Sequence, residues 1–262
     1  MSMRNIRLDL EYDGRNYCGW QWQPQVPTIE YEVKKAVEKI IGHEVTIYTH
    51  GRTDAGVHAE QHPVHFFSPT IRKPSELLGG LNAMLPDDIV VYRVFDVPLE
   101  WRARKDARER EYRYTFFNDF IHSALWRHRS YWVKSELNIP AMQKAASMLV
   151  GRHDFSAFRS LHCDADNPVR LMKRVTITSD PPFIHLSMVG HAFLRHQVRI
   201  TAGTLLEVGK GKIPADSMQE ILLSKNRDLA GPTLPGHGLT LVAVRYEGDP
   251  ERFQNRRVYV QD

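Results

Sequence analysis

The stretch Gly51-Arg52-Thr53-Asp54-Ala55-Gly56-Val57-His58-Ala59 sets one carboxylate, Asp54, two residues after an arginine and two before a glycine. A carboxylate held in this way can serve as a nucleophile, a general base or a metal ligand. It can equally be a plain turn residue, because Asp is common where a chain reverses. Three neighbourhoods bear on the choice. His58, His62 and His65 follow as Asp-x3-His-x3-His-x2-His, a run of metal-compatible side chains. Pro63 breaks any helix through that run, so the four-residue spacing does not gather the rings, and structural histidines with no bound metal are the expectation. Arg195 and Arg199, four residues apart in a helical pattern, share a face beside an apolar stripe. An arginine at a buried edge needs a carboxylate partner, and pairing with Asp54 would favour the ionised form a nucleophile requires. Spacing alone fits two solvated charges just as well. Arg110, Tyr112 and Tyr114 share one face of a strand by its two-residue period. A tyrosine among arginines can stack on a base while the arginines hold phosphates, although two core aromatics would look the same.

Other motifs fall away on spacing. Five residues separate Gly203 from Gly209 where a phosphate loop needs four, and Gly211 rather than Ser or Thr follows Lys210. Cys18 and Cys163 have no second-cysteine spacing for zinc.

The elements that must carry these residues can be read from periodicity. Residues 6–12 alternate, with Ile6, Leu8, Leu10 and Tyr12 on one face and Arg7, Asp9 and Glu11 on the other, which predicts a half-buried strand. Thr28 opens a helix with the stripe Ile29, Val33, Val37 and Ile40, and Gly42 ends it. A strand over 44–50 then delivers the Asp54 turn, and 64–67 resumes extended structure. A helix from Pro74 and a strand over 89–94 complete the first half. Beyond Trp101 the pattern restarts: strands over 112–117, 169–178, 183–189 and 239–246, with helices from Asn138, over 193–208 and over 214–224. This order resembles two split βαβ units. The expected fold class is α+β, two ferredoxin-like (RRM-like) halves sharing a central, mainly antiparallel sheet. The expected division is 1–104, carrying Asp54, and 105–262, carrying the tyrosines and the basic helix.

Composition is consistent with this. Of the 262 residues, 42% are hydrophobic and 25% charged, the balance of a globular protein, and no apolar run is long enough to span a bilayer. With two cysteines and no apolar signal core at the start, no disulfide framework is expected, and the cytoplasm is the expected compartment. The net charge of +4 is modest, but its distribution is not. Residues 102–113 hold six basic side chains against three acidic ones, and Arg127-His128-Arg129 and Arg256-Arg257 add further clusters among aromatics. A surface for a structured nucleic acid is the reading that follows. An RNA-binding module without catalysis would explain that surface but has no need of Arg52-Thr53-Asp54; a metal-dependent RNA hydrolase is the third reading.

Taken together, Tyr12-Asp13-Gly14, Gly19-Trp20-Gln21 and the Asp54 stretch form a recognisable set. With them go Arg110-Glu111-Tyr112-Arg113-Tyr114, Gly151-Arg152-His153-Asp154-Phe155, Phe193-Leu194-Arg195-His196-Gln197-Val198-Arg199, Ala230-Gly231-Pro232-Thr233 and Gly238-Leu239. In this order they resemble the TruA-type tRNA pseudouridine synthases over nearly the whole chain. The resemblance implies a pseudouridine synthase fold and a cofactor-free isomerase, a homodimer acting on uridines 38, 39 and 40 of the tRNA anticodon stem-loop. It further implies roles: Asp54 as nucleophile, Arg199 as its ion-pair partner, Arg52 in base flipping, Tyr112 stacking on the target base, and Leu239 as an apolar wall of the uracil pocket. Glu60-Gln61-His62-Pro63 and Gly236-His237 depart from the family pattern beside the site without removing any of these groups.

Overall fold

A computed structural model of the chain describes residues 2–161, 163, 165–249 and 259–260; the Arg256-Arg257 pair lies outside them. By internal contacts the chain forms two units, Met1–Arg108 with Leu241–Asp262, and Glu109–Thr240.

The first unit runs β1 (Arg4–Tyr12), α1 (Ile29–Ile41), β2 (Tyr48–Thr49), β3 (His58–Ser68), α2 (Pro74–Met84) and β4 (Ile89–Val97). Its strands lie in the order β4-β1-β3-β2, the order of a ferredoxin-like βαββαβ unit. β10 (Leu239–Tyr246) also lies beside β3, and β11 (Tyr259–Val260) runs parallel to β4. Ile6, Leu8 and Leu10 are buried together with Val33 and Val37 of α1 and Leu77 and Leu81 of α2. Gly42, in the left-handed conformation, caps α1. The extended segment expected over 44–50 pairs only at Tyr48 and Thr49, against His65 and Val64 of β3. From Leu241 onward the last strand belongs with this unit rather than the second half. There Tyr246 donates to the Ala103 carbonyl at 2.8 Å and packs on Trp101.

The second unit contains most of β5 (Ala107–Asn118), then β6 (Tyr131–Val133), α3 (Ile139–Ser147), β7 (Gly151–Asp154), β8 (Val169–Asp180), β9 (Phe183–Gly190), α4 (Gln197–Gly209) and α5 (Ser217–Ser224). β5, β9, β8 and β7 are antiparallel neighbours in that order, with short β6 parallel to β5. Asn138 caps α3 by accepting the Ala141 amide at 3.0 Å. α4 differs from the expected helix over 193–208. Its N-cap, His196, is left-handed (φ 63°), and the Gln197 side chain accepts the Leu194 amide at 2.9 Å, so the first turn is replaced by a cap. Arg195 therefore precedes the helix and is exposed, and the shared helical face with Arg199 does not exist. α5 likewise starts at Ser217, three residues later than expected. No helix among the described residues is long and apolar enough to cross a membrane.

β1 is not half-buried. At Arg7 and Asp9 its charged face is as dry as its apolar one, the two being 1% and 0% exposed, and only Glu11 of that face is partly open. Asp9 accepts from Arg7 Nε at 2.8 Å and from Arg93 Nη1 of β4 at 3.0 Å, while Arg7 Nη1 reaches Asp249 at 2.8 Å. The Arg7 guanidinium lies 4.5–5.2 Å from the ring centroids of Tyr246, Phe95 and Trp101. Burial works against the Arg7 charge, but Asp9 and then Asp249 outweigh it and raise its pKa. Buried ion clusters of this kind contribute little net stability, yet removing one member strands the others. Asp9→Ala, which leaves two buried guanidinium groups short of their shared carboxylate, is expected to cost about 3–5 kcal/mol in urea unfolding. A loss below about 1 kcal/mol would show that water or Asp249 compensates.

Candidate active site

Asp54 sits in the loop between β2 and β3, half-buried, with Arg52 exposed two residues before it. The loop is held chiefly by its backbone. The Trp20 amide donates to the Thr53 carbonyl at 3.1 Å, the Gly56 amide to Tyr17 O at 3.2 Å, and the Val57 amide turns back to Asp54 O at 3.2 Å. The segment 14–20 is thus laid directly on the segment 53–57, and its glycines are the reason it fits. A Cβ at Gly14 would stand 2.0 Å from Val57 O, and one at Gly19, whose φ is +97°, 2.6 Å from Thr53 O. Tyr12-Asp13-Gly14 and Gly19-Trp20 are therefore the bed of the Asp54 loop.

Two side chains tie the same loop to the sheet. Tyr12 Oη lies 2.8 Å from Thr53 Oγ1 and 2.9 Å from His62 Nδ1, and His62 Nε2 lies 2.7 Å from Thr49 Oγ1. Thr49 Oγ1 in turn donates to Gly51 O at 2.8 Å. Since that hydroxyl proton is committed to Gly51, Thr49 must accept from His62 Nε2–H. Nδ1 is then bare and accepts from Tyr12, leaving Tyr12 to accept from Thr53. One relay, Thr49–His62–Tyr12–Thr53, thus fixes the chain leading into Asp54 at Gly51 and at Thr53. Trp20 stacks on the His62 ring at 4.0 Å. Burial alone pushes this imidazole from 6.5 down to about 3, so it stays neutral.

The other two histidines have separate structural duties. His58 Nδ1 lies 3.1 Å from both the Gly14 amide and Asp13 Oδ1, accepting from the first when bare and donating to the second when protonated. His65 stacks on Tyr48 at 5.0 Å. All three are buried, and among the described residues no group of His, Cys, Asp and Glu is arranged to hold a metal ion.

The remaining expected site residues lie in the second unit. Tyr112, half-buried on β5 opposite Met188, meets Phe193 edge-to-face at 5.0 Å. Tyr114 is a core residue, fully buried and donating to Pro235 O at 3.0 Å. Burial raises its pKa, and the nearby Arg199 charge only partly offsets this. Arg199, half-buried on α4, donates through Nε to Leu234 O at 2.7 Å, and the Leu234 amide returns to Arg199 O at 3.3 Å. Residues 230–238 are thereby strapped across α4. A Cβ on Gly203 would stand 1.9 Å from Pro232 O, and the Gly231 amide donates to Thr204 Oγ1 at 2.9 Å. Of the glycines that superficially suggested a phosphate loop, Gly203 is what this strap requires, while Gly209 makes room for Met142 and Leu137. It ends at Gly238, packed on the Tyr114 ring, and at Leu239, buried at the head of β10.

The sequence motifs contain Asp54 and the glycine bed beneath it, but not the side-chain relay that ties the loop to the sheet. Thr49 belongs to none of the motifs, and neither the Tyr12-Asp13-Gly14 motif nor the histidine run announces that Tyr12, His62 and Thr49 meet, because their meeting depends on the β1–β3 register, in which Leu10 faces His62 and Tyr12 faces Ala59 across a bulge.

His62 has a folded pKa below its unfolded value, so the stability it supports is complete above about pH 6.5 and lost as pH falls toward 3. In His62→Gln, which cannot titrate, the stability lost between pH 7 and pH 4 is expected to shrink by about 3 kcal/mol relative to the parent. Parallel pH–stability curves from denaturant unfolding would rule the relay out as the acid-sensitive element.

A family model described as tRNA pseudouridine synthase matches residues 145–247. Proteins named tRNA pseudouridine synthase A match far more of the chain. The one from Acetivibrio thermocellus is 41% identical over 244 residues, covering 93% of this chain and 100% of that protein. The one from Geotalea uraniireducens is also 41% identical over 244 residues, with the same coverage. That from Myxococcus xanthus is 40% identical over 252 residues, 95% of each chain. Among solved structures, "Crystal Structure of a Cbf5-Nop10-Gar1 Complex" aligns at 12% identity over 77% of this chain and 54% of that one, with a TM-score of 0.32, too low to carry an argument. Identity near two-fifths across more than nine-tenths of the chain spans both the Asp54 loop with its glycine bed and the strap on α4, and it makes this chain a member of the tRNA pseudouridine synthase A family.

Proposed function

We propose that this enzyme isomerises uridines 38, 39 and 40 in the anticodon stem-loop of tRNA to pseudouridine, with Asp54 as the nucleophile. The observation that carries the reaction class is the end-to-end match to tRNA pseudouridine synthases. The choice of Asp54 is supported by the loop that presents it, fixed by backbone contacts before and after Asp54 and by the His62 relay at the residues leading into it. Preorganisation of this kind lowers the cost of bringing a nucleophile to its target.

The reaction requires the uridine to leave the stack, at a cost of a few kcal/mol. In this reading Arg52, exposed at the loop edge, supports the flipped state from the RNA side. Tyr112 recovers stacking energy on the target base. Leu239 supplies an apolar wall, and Arg199 pairs with Asp54 and keeps it ionised. Attack of the Asp54 carboxylate on C6 of uracil, or on C1′ of the ribose, permits the N1–C1′ bond to break. The ring turns and C5 bonds to C1′, displacing the Asp54 oxygen from C1′ or, after attack at C6, followed by its elimination from C6; the C5 proton departs, N1 gains one and the carboxylate is free again. Substrate and product are isomers, so the stoichiometry needs no oxidant, phosphoryl donor or cofactor. We place the enzyme in the cytoplasm as a homodimer, with the tRNA spanning both subunits.

Release of tritium from tRNA labelled at uridine C5 tests the assignment. Asp54→Asn is expected to reduce release by at least about 10⁴-fold, while tRNA affinity stays within about threefold, because phosphate contacts lie elsewhere. Arg199→Ala should inactivate as well; near-parental release from either purified variant defeats the corresponding role. Light scattering of the purified protein should give twice the 30.3 kDa chain mass. A monomer that turns over tRNA would remove the dimer from the mechanism.

A further inference from the structure

Beside the Asp54 loop, within the first unit, is a cavity of about 380 Å³ whose lining includes Arg52, Tyr48, His65, Arg102, Arg104 and Lys105. Its size falls in the range of roughly 300–1,000 Å³ typical of small-ligand sites. Its chemistry is unusually one-sided. The four cations face a single lining carboxylate, Glu30, whose Oε2 already accepts the Trp22 amide at 2.8 Å. Tyr48 forms the aromatic wall. One face of its ring stacks on His65 at 5.0 Å, Phe67 meets it edge-on at 6.0 Å, and the side chain still remains 44% exposed. That is a ring held in place with area left to cover.

The platform beneath it carries no charge. Burial, and then the Arg102 charge, pushes His65 from 6.5 down to about 4, so the imidazole stays neutral and acts as a flat support. Arg102 is preset too. Its Nη1 donates to Leu99 O at 2.5 Å and to Trp101 O at 2.9 Å, its guanidinium lies 5.0 Å from the Phe67 ring centroid, and its own amide is held by Asp106 at 2.7 Å. Lys105 and Arg104 stand exposed beyond it. A fixed aromatic face flanked by cations is the arrangement that takes a base on one side and a phosphate on the other. Arg52 belongs both to this cavity and to the stretch carrying Asp54 two residues on, so a strand delivering a base to Asp54 has its neighbouring nucleotides within reach.

We propose that this cavity is a second nucleotide subsite, in which a residue of the bound RNA adjacent to the target stacks its base on Tyr48 and sets its phosphate against Arg102, Arg104 and Lys105. The subsite rests on the reading of this chain as an enzyme acting on tRNA. It would hold the strand in register while the target base is turned out.

The test uses the full chain and an unmodified anticodon stem-loop RNA, tritiated at uridine C5 for kinetics and fluorescently labelled for anisotropy. Tyr48→Ala is expected to raise KM and Kd about tenfold with kcat within about twofold, and Tyr48→Phe to restore both to within about twofold. Arg104→Gln with Lys105→Gln should lower the slope of log Kd against log salt, measured between about 50 and 200 mM, by about 2. Melting temperatures identify any variant that is merely misfolded, and the tyrosine and charge variants test the subsite separately. Parental KM, Kd and salt slope in folded variants overturn the proposal, as does a Tyr48→Phe protein as weak as Tyr48→Ala. If the parent enzyme itself releases no tritium, the functional reading fails instead, and anisotropy with the same variants still decides whether the cavity binds RNA.

Discussion

The constraint on which the first unit depends is a neutral imidazole in a dry place. His62 is 0% exposed, and every polar atom it touches is itself committed: Thr49 to Gly51 on one side, Tyr12 to Thr53 on the other. In a low-dielectric interior such a relay is worth having only when complete, because an unfilled donor or acceptor costs more than a filled one contributes. Completeness also makes it directional. Once Thr49 donates to Gly51, the tautomer of His62 and the orientation of the Tyr12 hydroxyl follow. Neither β1 nor β3 can slide by a residue without breaking it, since a one-residue slip turns every side chain to the opposite face. The register that buries Ile6, Leu8 and Leu10 is therefore the register that places the relay holding Gly51 and Thr53 ahead of Asp54.

The second unit solves a similar problem by other means. The strap 230–238 is an irregular segment laid against a helix, and irregular backbone must find partners for its amides and carbonyls. Thr204 takes one amide, Arg199 one carbonyl, and Tyr114 another carbonyl at Pro235. Contact this close requires the absence of side chains at Gly203 and Gly231, which is why α4 is buried almost all round instead of along one stripe. Arg199 consequently has a structural duty at Nε apart from anything its terminal nitrogens do. Replacing it removes a charge and loosens the strap together, so lysine, which keeps the charge but cannot reproduce the planar fork, is an unequal substitute.

Much of this was legible in local pattern. The helix stopped by Gly42, the strand of β10 and the β8–β9 hairpin all declare themselves by period and punctuation, which depend on neighbours in sequence. What was not legible depends on partners far along the chain. Arg7 and Asp9 look like a solvent face because charged residues at alternating positions usually are one; their counterparts are Arg93 and Asp249, and no local signal announces a buried cluster. The helix expected from Phe193 starts four residues later because Gln197 folds back as a cap, a choice that periodicity does not record. Asp54 stood out by motif, whereas in the sequence His62 was one of three metal-compatible rings and one member of a departure from the family pattern, with nothing to mark its place between Thr49 and Tyr12.

This difference says where the specificity of the site resides. A turn aspartate on a mobile loop would sample many positions, and each loosely held rotation would cost rate through misalignment. Here the main chain on both sides of Asp54 is bonded before any side-chain contact is considered: Thr53 through its carbonyl, Gly56 and Val57 through their amides. The carboxylate is thus positioned by its backbone, and the backbone by residues 12–20 and His62 packed against it. It follows that Tyr12, Gly14, Gly19 and His62 constrain the placement of Asp54 through steric room and tautomer. A chain could keep Arg52-Thr53-Asp54 intact and still lose the geometry if a single Cβ were added beneath Thr53 or Val57.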